Sequence, residues 1–118
     1  MKERFKTFTV LIMEINRYIH KIKTEEMSEF DLKSPHVSCL YYLYKSGELT
    51  AKELCDISKE DKASVSRSIE YLETNGFISC NSTTKKRYKA ILTLTEKGRE
   101  IAAALAKKID AILEQASV

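Results

Sequence analysis

Glycine, proline and long apolar runs are all scarce in this sequence, and each shortage excludes something. With three glycines and one proline in 118 residues, a strand-rich fold with many tight turns lacks the residues to make them. Helix should dominate. No apolar run approaches the ~20 residues that cross a bilayer. The segment from Met1 to Thr9 also lacks the apolar stretch and small-residue cleavage site of a secretory signal. No membrane partner is expected, and a cytoplasmic location is. Cys39, Cys55 and Cys80 form no C-x-x-C pair and stand far from His20 and His36, so no metal site is expected. Such thiols ordinarily stay reduced and pack as small apolar residues. Neither a glycine-rich phosphate loop nor a Ser-His-Asp or Cys-His pattern stands out. No enzyme activity, catalytic residue or cofactor is therefore expected.

The apolar fraction of 43% and the charged fraction of 31% are those of a globular chain with one core, and the length allows one domain. A net charge of +3 does not by itself point to nucleic acid. The distribution says more. Between Asn81 and Ala90 stand Lys85, Lys86, Arg87 and Lys89 with no acidic residue, whereas Thr24 to Asp31 carries Glu25, Glu26, Glu29 and Asp31 with no base. The acidic stretch reads as a solvated loop.

Periodicity supplies the elements. Phe5, Phe8, Leu11, Ile12, Ile15, Tyr18, Ile19 and Ile22 recur every three or four residues, which predicts an amphipathic helix from about Lys2 to Lys23. So long an apolar face must lie against its own domain or a second subunit. Ser34-Pro35 predicts a second helix, capped by Ser34, with Val37, Leu40, Leu43 and Tyr44 buried and Gly47 at its end. Tyr41, Tyr42 and Tyr44 cannot all face one way on this helix and are expected to serve packing. Glu48-Leu49 fits a very short strand. Thr50 and Glu53 form a capping box for a brief third helix with Leu54 and Cys55 inward. Asp61 caps a fourth helix, Lys62 to Thr74, whose buried stripe is Val65, Ile69 and Leu72. Strands are expected over Phe77 to Cys80 and Tyr88 to Leu94, joined by the basic loop Asn81 to Arg87. Thr95 caps a last helix with Ile101, Leu105, Ile109 and Ile112 or Leu113 inward.

Two helices joined by a short turn and followed at once by a basic hairpin make a winged helix-turn-helix, mainly α with a small β-hairpin. In that motif the front of the second helix enters the major groove. Lys62, Ser64, Ser66, Arg67 and Glu70 stand nearest its free surface. Arg67 can hold guanine through two parallel hydrogen bonds, and the short serine hydroxyls allow close approach. A basic hairpin tip, Lys85, Lys86 and Arg87, suits the minor groove, where negative potential draws cations.

The segments Leu49-Thr50 with Glu53-Leu54, Asp61 to Arg67, Leu72 to Ile78, and Leu94-Thr95-Glu96-Lys97-Gly98 resemble the MarR family signature, in order and in spacing. The resemblance implies a homodimer on a pseudo-palindromic DNA operator, usually as a repressor. It also implies a small aromatic effector bound between the dimerisation helices and the DNA-binding lobe, and in some members a response to oxidants. By the same resemblance Ser64, Ser66 and Arg67 match contact positions, Lys62 a backbone-touching position, and Arg87 the wing arginine. The family's acidic residue before the wing arginines is missing, since Thr84, Lys85 and Lys86 occupy that stretch. Residues 1–23 and 95–115 are the expected dimerisation helices, and 34–94 the DNA-binding lobe with its wing at 81–88. A winged helix used for protein contact or RNA is the competing expectation, because fold does not dictate function.

Overall fold

The computed structural model describes residues 2–81 and 89–116, with side chains for 7–81 and 89–114. Among the described residues five α-helices and three strands follow one another as α1 (Lys2–Lys21), α2 (Ser34–Ser46), β1 (Glu48–Thr50), α3 (Ala51–Ser58), α4 (Lys62–Thr74), β2 (Ile78–Asn81), β3 (Ile91–Leu94) and α5 (Glu96–Ala116). The sheet is antiparallel in the order β1-β3-β2, so the expected hairpin gains a third strand. Leu49, Leu92 and Cys80 share one row across it, and Leu49 and Leu92 are buried.

The acidic stretch is not the loop the charges suggest. A wide helical turn at Ile22–Glu26 and a tight one at Ser28–Phe30 continue from α1. Ile22, Met27 and Leu32 are buried there while the carboxylates stay outside, so three apolar anchors decide the backbone. Helix α2 also starts one residue earlier than its serine predicts. Lys33 takes the cap position, its N–H donated to His36 Nδ1 at 3.0 Å, and Ser34 is already helical. On α2 the buried side chains are Val37, Cys39, Leu40 and Leu43; Tyr44, expected inward, is exposed near the end of the helix. Tyr41 and Tyr42 are half-buried and meet edge to face, and the Tyr41 hydroxyl donates to Asp110 on α5 at 3.3 Å.

The sheet and α5 are locked together at one corner. Thr95 Oγ1 accepts the Gly98 N–H at 3.1 Å and donates to the Gly76 carbonyl at 2.6 Å, while the Thr95 N–H reaches the Phe77 carbonyl at 3.1 Å. Gly98 is needed for this approach: a Cβ there would stand 1.9 Å from the Phe77 oxygen. The Leu94-to-Gly98 signature is thus a packing device that fixes α5 against the turn leaving α4. Along α5, Ala102, Leu105, Ala106 and Ile109 join the core, and Leu113 stays exposed.

Helix α1 behaves differently. It contacts α5, yet none of its described side chains is buried. Phe8 is 63% exposed, Ile12 42% and Tyr18 45%, which leaves part of the expected apolar stripe open to water. No helix among the described residues is long and apolar enough to cross a membrane.

Candidate nucleic-acid interface

The segment from Gly47 to Asp61 aims α4. Gly47 ends α2 at φ 85°, a conformation that costs glycine little. The capping box then forms as expected: the Glu53 N–H donates to Thr50 Oγ1 at 3.1 Å, and the Thr50 N–H to Glu53 Oε1 at 3.0 Å. The Thr50 main-chain N–H, and after it a hydrogen bond with the Thr50 side chain, hold the Glu53 carboxyl below its ordinary range. Helix α3 closes on Lys59 in the left-handed conformation, its N–H on the Cys55 carbonyl at 3.1 Å. The Cys55 thiol donates across the turn to the Glu60 carbonyl at 3.3 Å, and Asp61 then receives the Ser64 N–H at 2.6 Å as cap of α4. Every residue of this short turn is tied.

Helix α4 buries Val65, Ser68, Ile69 and Leu72. At about 100° per residue, the strip opposite them is Ala63, Arg67, Glu70 and Thr74, and all four are exposed. Arg67 therefore stands where the sequence predicts, at the middle of the outward face. Lys62 and Ser66 are exposed on one flank, whereas Ser64 is half-buried on the other with its main-chain N–H taken by Asp61. The two serines thus do not act side by side, since positions two apart on a helix do not share a face. Glu70 belongs to the outward strip as expected, and so does Ala63, which was not among the expected surface residues although the spacing from Val65, Ile69 and Leu72 locates it.

A groove of about 640 Å³ runs between α3, the Lys62–Ser66 flank of α4 and the stem of the β2–β3 hairpin. Ala51, Val65, Ile69 and Leu92 make its apolar wall, with Cys55 and Cys80 along it and Lys52, Asp56, Lys62 and Glu70 at the rim. Cys39 lies apart, buried against α4. Burial, the largest cause, pushes its thiol up to about 11, partly opposed by a hydrogen bond with Ser68. Among the described residues no group of three or more histidine, cysteine or acidic side chains could hold a metal.

The hairpin leaves the sheet at Asn81 and re-enters it at Ile91, later than the expected Tyr88, both residues exposed, and its Cys80 and Leu92 line the groove beside the Lys62–Ser66 flank. The expected wing contacts Lys85, Lys86 and Arg87 lie outside the described residues, as does Tyr88. A capped, outward-facing helix with a hairpin stem at its side is a winged-helix arrangement. Residues 36–113 match the family model described as the winged helix DNA-binding domain. The chain belongs to that family.

A curated relative of this winged-helix chain, the uncharacterized HTH-type transcriptional regulator YwoH of Bacillus subtilis, is 34% identical over 89 residues, 73% of the chain. The chain spans 65% of that regulator's length. A Listeria monocytogenes protein assigned to the MarR family of transcriptional regulators, solved in complex with 26mer DNA, superposes with a TM-score of 0.73. It is 26% identical, and the match covers 89% of this chain and 70% of that one. A MarR family protein from Bacillus stearothermophilus shares the fold at 18% identity and a TM-score of 0.73, over 98% of this chain and 80% of its own. The winged-helix domain thus has MarR-family regulators as structural neighbours, as its sequence segments imply.

Proposed function

We propose that the protein is a sequence-specific, DNA-binding transcriptional regulator that acts as a homodimeric repressor in the cytoplasm. The observation that carries this reading is the outward strip of α4. It joins Arg67 to the small Ala63, is held by caps at every joint of its approach, and lies beside the stem of a basic hairpin. Arg67 reads a base edge in the major groove, Ala63 fits a thymine methyl, and Ser66 and Lys62 contact the strand nearest the wing. Ser64 serves chiefly the start of the helix. Lys85, Lys86 and Arg87 enter the minor groove. The Listeria relative's 26mer DNA complex supports this reading.

Residues 34–94 make up the reading lobe, and 1–23 with 95–115 the dimerisation helices. The open apolar face of α1 supports a second copy as its cover, each large side chain removed from water contributing about 1.5–3 kcal/mol. A small aromatic molecule or an oxidant relieves binding, and of the three thiols Cys55 and Cys80 are the accessible ones. The test is a duplex titration at two salt concentrations. A DNA reader that neutralises several phosphates loses affinity steeply with salt, and replacing Lys85, Lys86 and Arg87 with Ala flattens the slope by up to about 3. A protein-contact module would bind no duplex at either salt, and an RNA module would prefer the RNA form of the probe.

A further inference from the structure

We infer that Tyr71 and His36 form a clasp that positions the recognition helix relative to the corner leaving α1, and that protonation of His36 opens it. This inference rests on α4 being the DNA-reading helix. Tyr71 belongs to α4 but stands off its buried stripe, on the flank away from the groove. Its ring stacks on His36 of α2, with centroids 4.1 Å apart and planes within 8°. Its hydroxyl donates to the Asp31 carbonyl. One side chain of α4 thus grips both ends of the corner 31–36.

That corner is the only covalent path from α1 to the reading lobe, and it is tightly drawn. Asp31 holds a left-handed conformation at φ 60° and ψ 36°, its N–H on the Ser28 carbonyl at 2.9 Å. Leu32 next to it is buried, its N–H on the Met27 carbonyl at 3.4 Å. The Lys33 N–H then ends on His36 Nδ1 at 3.0 Å. A non-glycine residue in the left-handed region costs about 1 kcal/mol or more, so the surrounding contacts must hold the corner. Tyr71 is one of them, and it brings α4 along. A shift of α1 reaches α4 through this side chain.

The histidine makes the clasp conditional. Only neutral imidazole has a lone pair at Nδ1 for the Lys33 N–H, because both ring nitrogens are donors once the ring is protonated. The charged groups facing it are Lys33 and Asp31 on the corner, and α4 presents the Tyr71 hydroxyl. Burial first, then Lys33, hold the His36 pKa below its ordinary 6.5, while Asp31 pulls the other way. A folded-state value below the unfolded one means the neutral form is favoured by folding. That contribution is complete above 6.5 and is lost as pH falls through the lowered folded value.

The separating variant is His36→Gln. Glutamine at the third helical position accepts the same cap N–H and never titrates in this range. We would measure binding of the full chain to the best duplex recovered from a random pool, and to a scrambled duplex, at about pH 7.5 and about pH 5.5. The wild-type ratio of specific to scrambled binding is expected to fall about fivefold on acidification, and the His36→Gln ratio by less than about twofold. Tyr71→Phe keeps the stack and loses the Asp31 bond, and is expected to lower the ratio at both pH values. Equal acid losses in wild type and His36→Gln would overturn the inference. Proton NMR of the free protein tests the clasp without DNA: the Tyr71 ring and Lys33 amide should titrate together with the His36 ring. A Tyr71 ring that stays unmoved while His36 titrates also overturns it. Loss of all duplex discrimination at about pH 7.5 would count against the DNA reading instead, with the spectra still deciding the clasp.

Discussion

Helices α1 and α4 turn opposite kinds of surface outward. Along α1 the exposed side chains include Phe8, Val10, Ile12, Met13 and Tyr18, and no described residue is buried. Along α4 the core-facing stripe is complete, and the outward strip is small or charged: Ala63, Arg67, Glu70 and Thr74. An apolar face gains by leaving water against another apolar face, whereas a strip of small and charged groups suits a hydrated, charged partner. On the proposed reading one chain carries two interfaces of different physics, one for a second copy and one for nucleic acid. The corner at Thr95 and Gly98 and the clasp at Tyr71 keep the two in register.

The largest expected effect separates these interfaces. Phe8→Glu with Ile12→Glu should abolish dimers in sedimentation velocity and weaken binding to a pseudo-palindromic duplex by about 100-fold or more, because two linked half-sites gain from effective concentration. Unchanged mass with unchanged binding would remove α1 from the dimer. Next comes Gly98→Ala, which strikes the corner between them. Forcing a methyl onto the Phe77 carbonyl should cost about 1–3 kcal/mol in denaturant unfolding. A neutral result would mean that the corner relaxes freely. Arg67→Ala should weaken the specific duplex by about 1–3 kcal/mol and leave the melting temperature alone. If footprints stayed the same, the outward strip would not be the reading face. Smallest is Thr50→Ala, which removes one cap bond and should lower stability by about 1 kcal/mol, seen as a shifted urea midpoint.

Much of the reading lobe was legible because its punctuation is local. Asp61 and Asn75-Gly76 bound α4 at Lys62 and Thr74 as predicted, and Thr50 with Glu53 marks α3, since each cap needs only residues three apart. The outward strip was legible in part: Arg67 followed from the buried stripe, but pairing Ser64 with Ser66 ignored that they fall on opposite flanks. What failed was non-local. The helical turns at Ile22–Glu26 and Ser28–Phe30 depend on Ile22, Met27 and Leu32 reaching the core, a pattern that the carboxylates between them hide. Cys39 was not among the expected core residues of α2, and it is buried where α4 packs on it and offers Ser68 to its thiol, a partner 29 positions away. The clasp joins residues from 31 to 71 and has no local signature.

Selection of bound sequences from a random duplex pool tests the central claim most directly. Two copies of α4 on a two-fold dimer should recover an inverted repeat with half-site centres about 10 bp apart or a multiple of that spacing. Arg67→Ala should relax the preference at one position in each half. Recovery of unenriched sequence, or of a repeat that Arg67→Ala leaves unchanged, would contradict it.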